Sequence, residues 1–328
     1  MHRRNRFGCA TSFDRTTRTQ TGPQQLAAQL QRGIYVRVIH HALRLAAIAA
    51  LPLAAAPALA QSQSIPAEPN PTPDPGAVGD TVTVAIAGAY LPDYEGSNDY
   101  RLVPGPAAIG SFHNLSFSVI GNRASIDLLP NPTGPTWDVQ LGPIGVVNFN
   151  RSNDKTIDDD RIKALGERKT AIELGGYVGL GKTGVITSPY DKLSASLSYR
   201  HDVSSVHKSG ILTPSVNYFT PLSLKAGVGL FASAERVERG FARTYFDVDA
   251  VQAAASGLPQ YRTRGGWKHY TVGLAGTYSL TGNLLHGVKL IAGVTYKRML
   301  NDFGDTPVVS VAGSRNQWLG ALGVGYTF

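Results

Sequence analysis

The chain has 328 residues, with 31 Lys and Arg against 23 Asp and Glu, and a single cysteine, Cys9. Eight of the basic residues and one Asp fall within residues 1–60, and taking these from the totals leaves 23 basic and 22 acidic residues over 61–328. A near-neutral remainder without cysteine excludes a disulfide framework or a thiolate site there and gives no basic surface for nucleic acid.

In chain order, the amino terminus reads as an export signal. Arg37 and Arg44 precede or adjoin an apolar run from Leu45 to Leu59, which closes on Ala58-Leu59-Ala60 with cleavage expected after Ala60. The run is shorter than the roughly 20 residues of a spanning helix and holds Pro52 and Pro57, so a permanent anchor is the weaker alternative. Residues 1–32 are too long and polar for an ordinary signal n-region, and the true start is expected downstream of Met1. Residues 61–79 carry Pro66, Pro69, Pro71, Pro73 and Pro75 and read as an extended periplasmic leader.

From Asp80 onward the dominant signal is alternation with period two. Leu193, Ala195, Leu197 and Tyr199 oppose Lys192, Ser194, Ser196, Ser198 and Arg200; the segments ending at Leu280, Tyr296 and Phe328 repeat the pattern. Without a long apolar helix, a membrane protein must close its sheet, with apolar side chains in lipid and small or polar ones in the lumen. Twelve strands are predicted, at about 80–91, 100–111, 114–121, 123–129, 136–149, 170–181, 190–203, 210–219, 222–235, 267–280, 286–300 and 315–328. The weak third and fourth leave ten as the alternative. The long connections Arg151 to Lys169, Arg236 to Gly266 and Asn301 to Ser314 all follow odd-numbered strands, whereas Phe219-Thr220-Pro221 and Thr281-Gly282-Asn283 read as short turns after even ones. That asymmetry predicts an all-β, up-and-down antiparallel barrel in an outer membrane, with long loops outside.

Several segments resemble one family. The opening "DTVTVAIAGAYLPDYEGSNDYRLVPGP" (Asp80 to Pro106), the loops "DDDRIKALGE" (Asp158 to Glu167) and "SGLPQY" (Ser256 to Tyr261), and the closing "LGVGYTF" are similar to the MipA/OmpV family of MltA-interacting outer-membrane scaffold proteins. The motif positions are Pro92, Asp93, Tyr94, Glu95, Gly96 and Ser97, Asp158, Asp159 and Asp160, and Gly257, Leu258, Pro259 and Tyr261. The resemblance implies a non-enzymatic protein of a Gram-negative outer membrane that holds a periplasmic murein hydrolase, a lytic transglycosylase, near a murein synthase. Other members resemble porin-like proteins or adhesins, so a solute channel and a surface adhesin stay open as alternatives.

Trp318, Leu322, Val324, Tyr326 and Phe328 form a closing strand of the kind read by the outer-membrane assembly machinery; packing at the lipid interface is the plainer alternative. Asp93, Glu95, Asp99 and Asp158 to Asp160 supply oxygen ligands for a hard cation, but their spacing fits no calcium loop and a solvated acidic loop is expected. His201, Asp202 and His207 have the residue types of a hydrolytic site without its ordering, and the two histidines are expected at a hairpin rim. Lys192, Arg200, Lys225, His269, Lys289 and Lys297 are candidate lumen cations facing Asp127, Asp138 and Glu173, there either to line a pore or to pair and fill the barrel. No cofactor is expected. Gly227-x-Gly229 and Gly323-x-Gly325 are expected to make room in the lumen or let the sheet curve.

Overall fold

The computed structural model describes residues 80–328 apart from 114 and 133. The expected signal peptide, with Ala58 and Ala60, and the proline-rich leader lie outside the described residues. Within them, twelve antiparallel strands form one closed barrel: β1 (Thr81–Pro92), β2 (Tyr100–Phe112), β3 (Leu115–Ile120), β4 (Arg123–Ile126), β5 (Trp137–Asn148), β6 (Ala171–Thr183), β7 (Lys192–Asp202), β8 (Gly210–Pro221), β9 (Ala226–Val237), β10 (Gly266–Ser279), β11 (Gly287–Met299) and β12 (Asn316–Thr327). Each pairs with its sequence neighbours, and β1 pairs with β12 from Thr83↔Thr327 to Tyr90↔Gly320, which removes both sheet edges. A hydrogen bond between the Thr83 and Thr327 hydroxyls, 2.6 Å, and one from the Phe328 N–H to the Val82 carbonyl, 2.9 Å, finish the seam.

The alternating residues fall as the pattern requires. Ile86, Val139, Leu174, Leu197, Leu230, Leu274 and Leu322 point outward and are exposed, while Gln140, Glu173, Ser194, Ser198, Thr271 and Thr295 on the opposite face are buried. A sheet in water would bury the first set. This one exposes a continuous apolar band and turns its polar side chains inward, the arrangement hydrocarbon selects. Among the described residues no helix is long and apolar enough to cross a membrane.

The third and fourth strands are present but have only six and four residues. Asp127 replaces the missing ladder where β4 stops, its carboxylate accepting the Leu129 and Leu141 N–H groups at 3.0 and 3.1 Å. Because β3 meets β2 only from Ala107 to Phe112, the Tyr100–Gly105 stretch has no strand partner on that side. Pro106 accepts a bond from Gly121 N–H there, so Pro104, two residues along, faces the same side with no N–H left unsatisfied. The β8–β9 turn is residues 222–225; Phe219, Thr220 and Pro221, read from sequence as a turn, belong to β8. Gly227 makes room for a neighbour: a Cβ there would lie 2.6 Å from the inward Phe219 ring.

Connections after odd strands gather at one end, the loop end; the short turns and the carboxy terminus share the other. At the loop end the chain folds into a cap, with helices α1 (Asp160–Ala164), α2 (Arg239–Phe246), α3 (Ala250–Ser256), α4 (Asn301–Asp305) and α5 (Pro307–Ser310). One apolar core joins four loops, with Tyr94, Ile162, Phe241, Phe246, Phe303 and Val309 at its centre. Polar ties lock the loops together. Tyr94 Oη donates to the Ala312 carbonyl at 2.6 Å, Arg151 Nη1 to the Tyr245 carbonyl at 3.0 Å, and Thr306 Oγ1 to the Phe246 carbonyl at 2.7 Å. Gly96 adopts φ +107°, and a Cβ there would sit 2.5 Å from Val309 Cγ2, so turn and packing both require glycine.

Candidate functional site

Directly beneath the cap, the barrel wall carries a layer of buried charges. It begins with an irregularity: between Trp267 and His269 the β9–β10 register shifts by one residue. A β-bulge breaks strict alternation and aims two consecutive side chains to one face. Lys268 and His269 are therefore both buried inward, while Trp267 stays exposed outside. Lys268 Nζ meets Glu235 Oε1 at 2.5 Å and Glu95 Oε2 at 2.9 Å. Arg200 bridges Glu235 at 2.7 Å and Glu173 at 2.6 Å, and Lys297 lies 3.7 Å from Glu95. Three carboxylates thus face three cationic side chains, a balance that makes burial tolerable. A cavity of about 20 Å³, room for a single water, lies among Glu95, Asn148, Glu173, Arg200, Glu235 and Lys268.

Glu95 comes from the β1–β2 loop, so this ion pair ties the cap to the wall. Burial alone would push the Glu95 carboxyl up, but the Lys268 and Lys297 ammoniums, with His269, hold it well below the usual carboxylate range. A depressed carboxyl stabilises the folded state fully above the unfolded value of about 4.3, and loses that contribution as pH falls through the depressed value. The cap is thus expected to resist protease in detergent unchanged from pH 8 to about pH 5 and to loosen only well below pH 4. Cleavage within residues 93–99 already at pH 5 is the contrary result.

Glu95, Glu235 and His269 place one ligand atom each within 4.8 Å of one another, the donor set of a metal site. The Lys268 ammonium already bonds both carboxylates, and Lys297 stands beside Glu95. A divalent ion would meet two ammoniums at short range, so the donors fit an ion-pair network and not a metal centre. A second constellation has the connectivity of a hydrolytic triad: His207 Nδ1 lies 2.9 Å from Ser209 Oγ, and Nε2 lies 3.2 Å from Glu173 Oε1. Ser209 and His207 are both 2% exposed, and Gly240 of α2 packs so closely on Ser209 that even a Cβ there would lie 3.0 Å from Oγ. No acyl group fits at that hydroxyl; the three residues fasten the β7–β8 loop to the wall.

The structure brings together Arg200, His269 and Lys297 of the candidate lumen cations, with Glu173 opposite. Lys192 lies lower, 2.6 Å from Asp138, and Lys289 is buried near the turn end, bonded to the Leu284 carbonyl. Lys225 lies exposed on the β8–β9 turn and not on the lumen face. The acidic loop expected to be solvated is a different object: Asp93 and Glu95 are buried, and Asp93 Oδ2 accepts the Asp158 N–H at 2.8 Å, stitching two loops together. Burial raises the Asp93 carboxyl despite hydrogen bonds from Ser97 and Asp158. Asp158 and Asp160 remain exposed, and Asp159 caps α1 by accepting the Arg161 N–H. Pro92, Tyr94 and Ser97 are buried with Asp93. Gly257 ends α3 at φ +72°, Leu258 enters the cap core, Pro259 is exposed, and Tyr261 bridges back to Val248. His201 points outward in the last pair of the β7–β8 ladder and His207 lies in the loop of that hairpin, both at its top as expected, with the His207 ring buried under the cap. Trp318, Leu322, Val324, Tyr326 and Phe328 all lie exposed on the outer face of the closing strand and carboxy terminus.

Lys268, Glu235 and the cap residues Phe241 and Tyr245 went unmarked in the sequence. The one local signal is Trp267-Lys268-His269-Tyr270, where two adjacent polar residues between aromatics break the alternation.

No curated protein matches the sequence. Solved structures similar in outline include the outer membrane channel DcaP of Acinetobacter baumannii, with 9% identity, TM-score 0.34, and coverage of 76% of this chain and 96% of that one. An outer membrane channel of Pseudomonas putida matches at 13% identity and TM-score 0.34, covering 78% and 100%. An anion-selective porin from Comamonas acidovorans matches at 11% identity and TM-score 0.33, covering 77% and 99%. The family profile described as MltA-interacting protein MipA matches residues 84–328, β1 through the last residue, and this outer-membrane barrel therefore belongs to the MipA family.

Proposed function

We propose that the chain is an outer-membrane scaffold, whose barrel anchors it in lipid and whose turn end, facing the periplasm, docks a lytic transglycosylase and a murein synthase. Membership of the MipA family carries this reading. The geometry supports it from a second direction: a folded cap with an apolar core and a charge-balanced layer beneath it closes the loop end, which suits an anchor better than an open pore. In the same reading, the exposed aromatic and aliphatic face of Trp318 to Phe328 serves recognition by the assembly machinery.

The test is capture. Detergent-solubilised protein immobilised through a loop-end tag and washed with periplasmic extract is expected to retain a lytic transglycosylase together with a murein synthase. Retention of neither removes the scaffold reading. A solute channel is the second reading, favoured by the hydrophilic lumen below the charge layer, where Ser194, Ser198, Thr213 and Ser215 line adjacent strands. Purified protein giving no single-channel steps in planar bilayers would remove the channel reading.

A further inference from the structure

The cap and its charge layer account for the inner face of the loop end. On the outer face of the same strands is a second arrangement that neither uses. Arg236 on β9 and Arg298 on β11 both point outward and are exposed, each flanked in sequence by buried residues, Glu235 and Val237 or Lys297 and Met299. Among the described residues, the Arg236 side chain makes no hydrogen bond or ion pair. Arg298 makes one long contact, 3.4 Å, to Asn316 Oδ1. Glu238, the carboxylate next along the outer side of β9, accepts the Gly210 N–H at 2.8 Å and forms no ion pair with Arg236. The two strands flank β10, which puts the two backbone positions roughly 10 Å apart around the barrel, and because their partners on β10 are Trp267 and Tyr270, Arg298 lies a few residues nearer the apolar band than Arg236.

Aromatic side chains lie immediately around and below these guanidiniums. Trp267 is the cross-strand partner of Arg236, and Tyr270 is that of Arg298. Tyr296 and Trp318 continue the arc one step nearer the apolar band, with ring centroids 5.0 Å apart. Aromatic rings of this kind mark the depth at which hydrocarbon gives way to headgroups. Cations placed at that boundary sit where lipid phosphates sit. The planar guanidinium fork matches a phosphate in two hydrogen bonds at once, and a pair on alternate strands can reach two of them.

We propose that the outer surface of β9–β11 at the loop end binds a phosphate-bearing lipid headgroup of the outer leaflet, held by Arg236 and Arg298 above the Trp267, Tyr270, Tyr296 and Trp318 arc. The aromatic arc supplies the apolar contact for the acyl region, which a free phosphate would not use. The proposal depends on the barrel's orientation and is independent of the scaffold role.

The full protein in detergent micelles, mixed with bis-phosphorylated lipid A and analysed by native mass spectrometry, tests it. Wild-type protein is expected to retain the phosphorylated lipid in preference to its dephosphorylated form. R236Q/R298Q is expected to lose retention by about tenfold or more with an unchanged melting temperature. An equally retentive double variant would overturn the proposal, as would equal retention of the dephosphorylated lipid. Displacement of the lipid by millimolar inorganic phosphate would also overturn it, by assigning the arginines to a free anion. The single variants R236Q and R298Q, each expected to give an intermediate loss, keep the test decisive if the double variant fails to fold.

Discussion

Lys268→Met is expected to break the seal at the loop end while the barrel itself stays assembled. The ammonium it removes is 3% exposed and is shared by Glu95 and Glu235. Losing one partner of a buried ion pair costs about 3–5 kcal/mol, because the remaining charges keep their desolvation penalty without its compensation. Three carboxylates would then face only Arg200 and Lys297. Glu95 belongs to a loop and Glu235 to a strand held by two ladders, so the strain is relieved by moving the loop. In detergent, chymotrypsin, which cuts after Tyr94, or a less specific protease should cut the Asp93–Asp99 segment of the variant within minutes while the strands persist. If the channel reading is right, the same variant shows larger conductance steps than wild-type protein. Adding Glu95→Gln restores two carboxylates against two cations and should recover most of the protection. Wild-type protease resistance in Lys268→Met would show that the cap does not rest on this layer.

The membrane explains why so much of the barrel is readable from sequence. Hydrocarbon on one side and a packed lumen on the other impose period two on every long strand, so Leu193 to Tyr199 or Trp318 to Phe328 announce their own faces without knowledge of their partners. β3 and β4 are weak in the sequence because they are short in the structure, too short to repeat an alternation convincingly. The cap was illegible for the complementary reason. Its helices have four to eight residues, less than the window in which a helical period declares itself, and its core gathers scattered residues from four distant loops. Glu95 reads as a solvated acid in Pro-Asp-Tyr-Glu-Gly-Ser because its counter-charge, Lys268, lies 173 residues away. Lys268 in turn sits at a position that strict alternation assigns to lipid, and only the bulge brings it inside. Sequence patterns report the solvent each face meets. They say little about which loops meet one another.

Phe241→Ala attacks the same closure from its apolar side and is expected to have an effect of similar size. The ring is 1% exposed and lies at the junction of both layers. Its centroid is 4.7 Å from Tyr245, 5.1 Å from His207 and 6.4 Å from Phe246, and Lys268 Nζ lies 4.2 Å from it. Emptying a buried phenylalanine site costs about 3–5 kcal/mol through lost transfer and cavity terms. A desolvated cation–π contact adds about 2 kcal/mol more. α2 has eight residues and no side-chain cap bond, so it has little stability of its own to retain its place once the ring is gone. Hydrogen exchange should accelerate across residues 238–265 and 300–315, with the β1–β12 seam unchanged. Because Phe241 and Lys268 touch, the double variant Phe241→Ala, Lys268→Met should lose less than the two single losses combined, a coupling that independent sites would not show. Simple additivity in that cycle would mean that the apolar cap and the charge layer open separately, and that the loop end is two closures stacked rather than one.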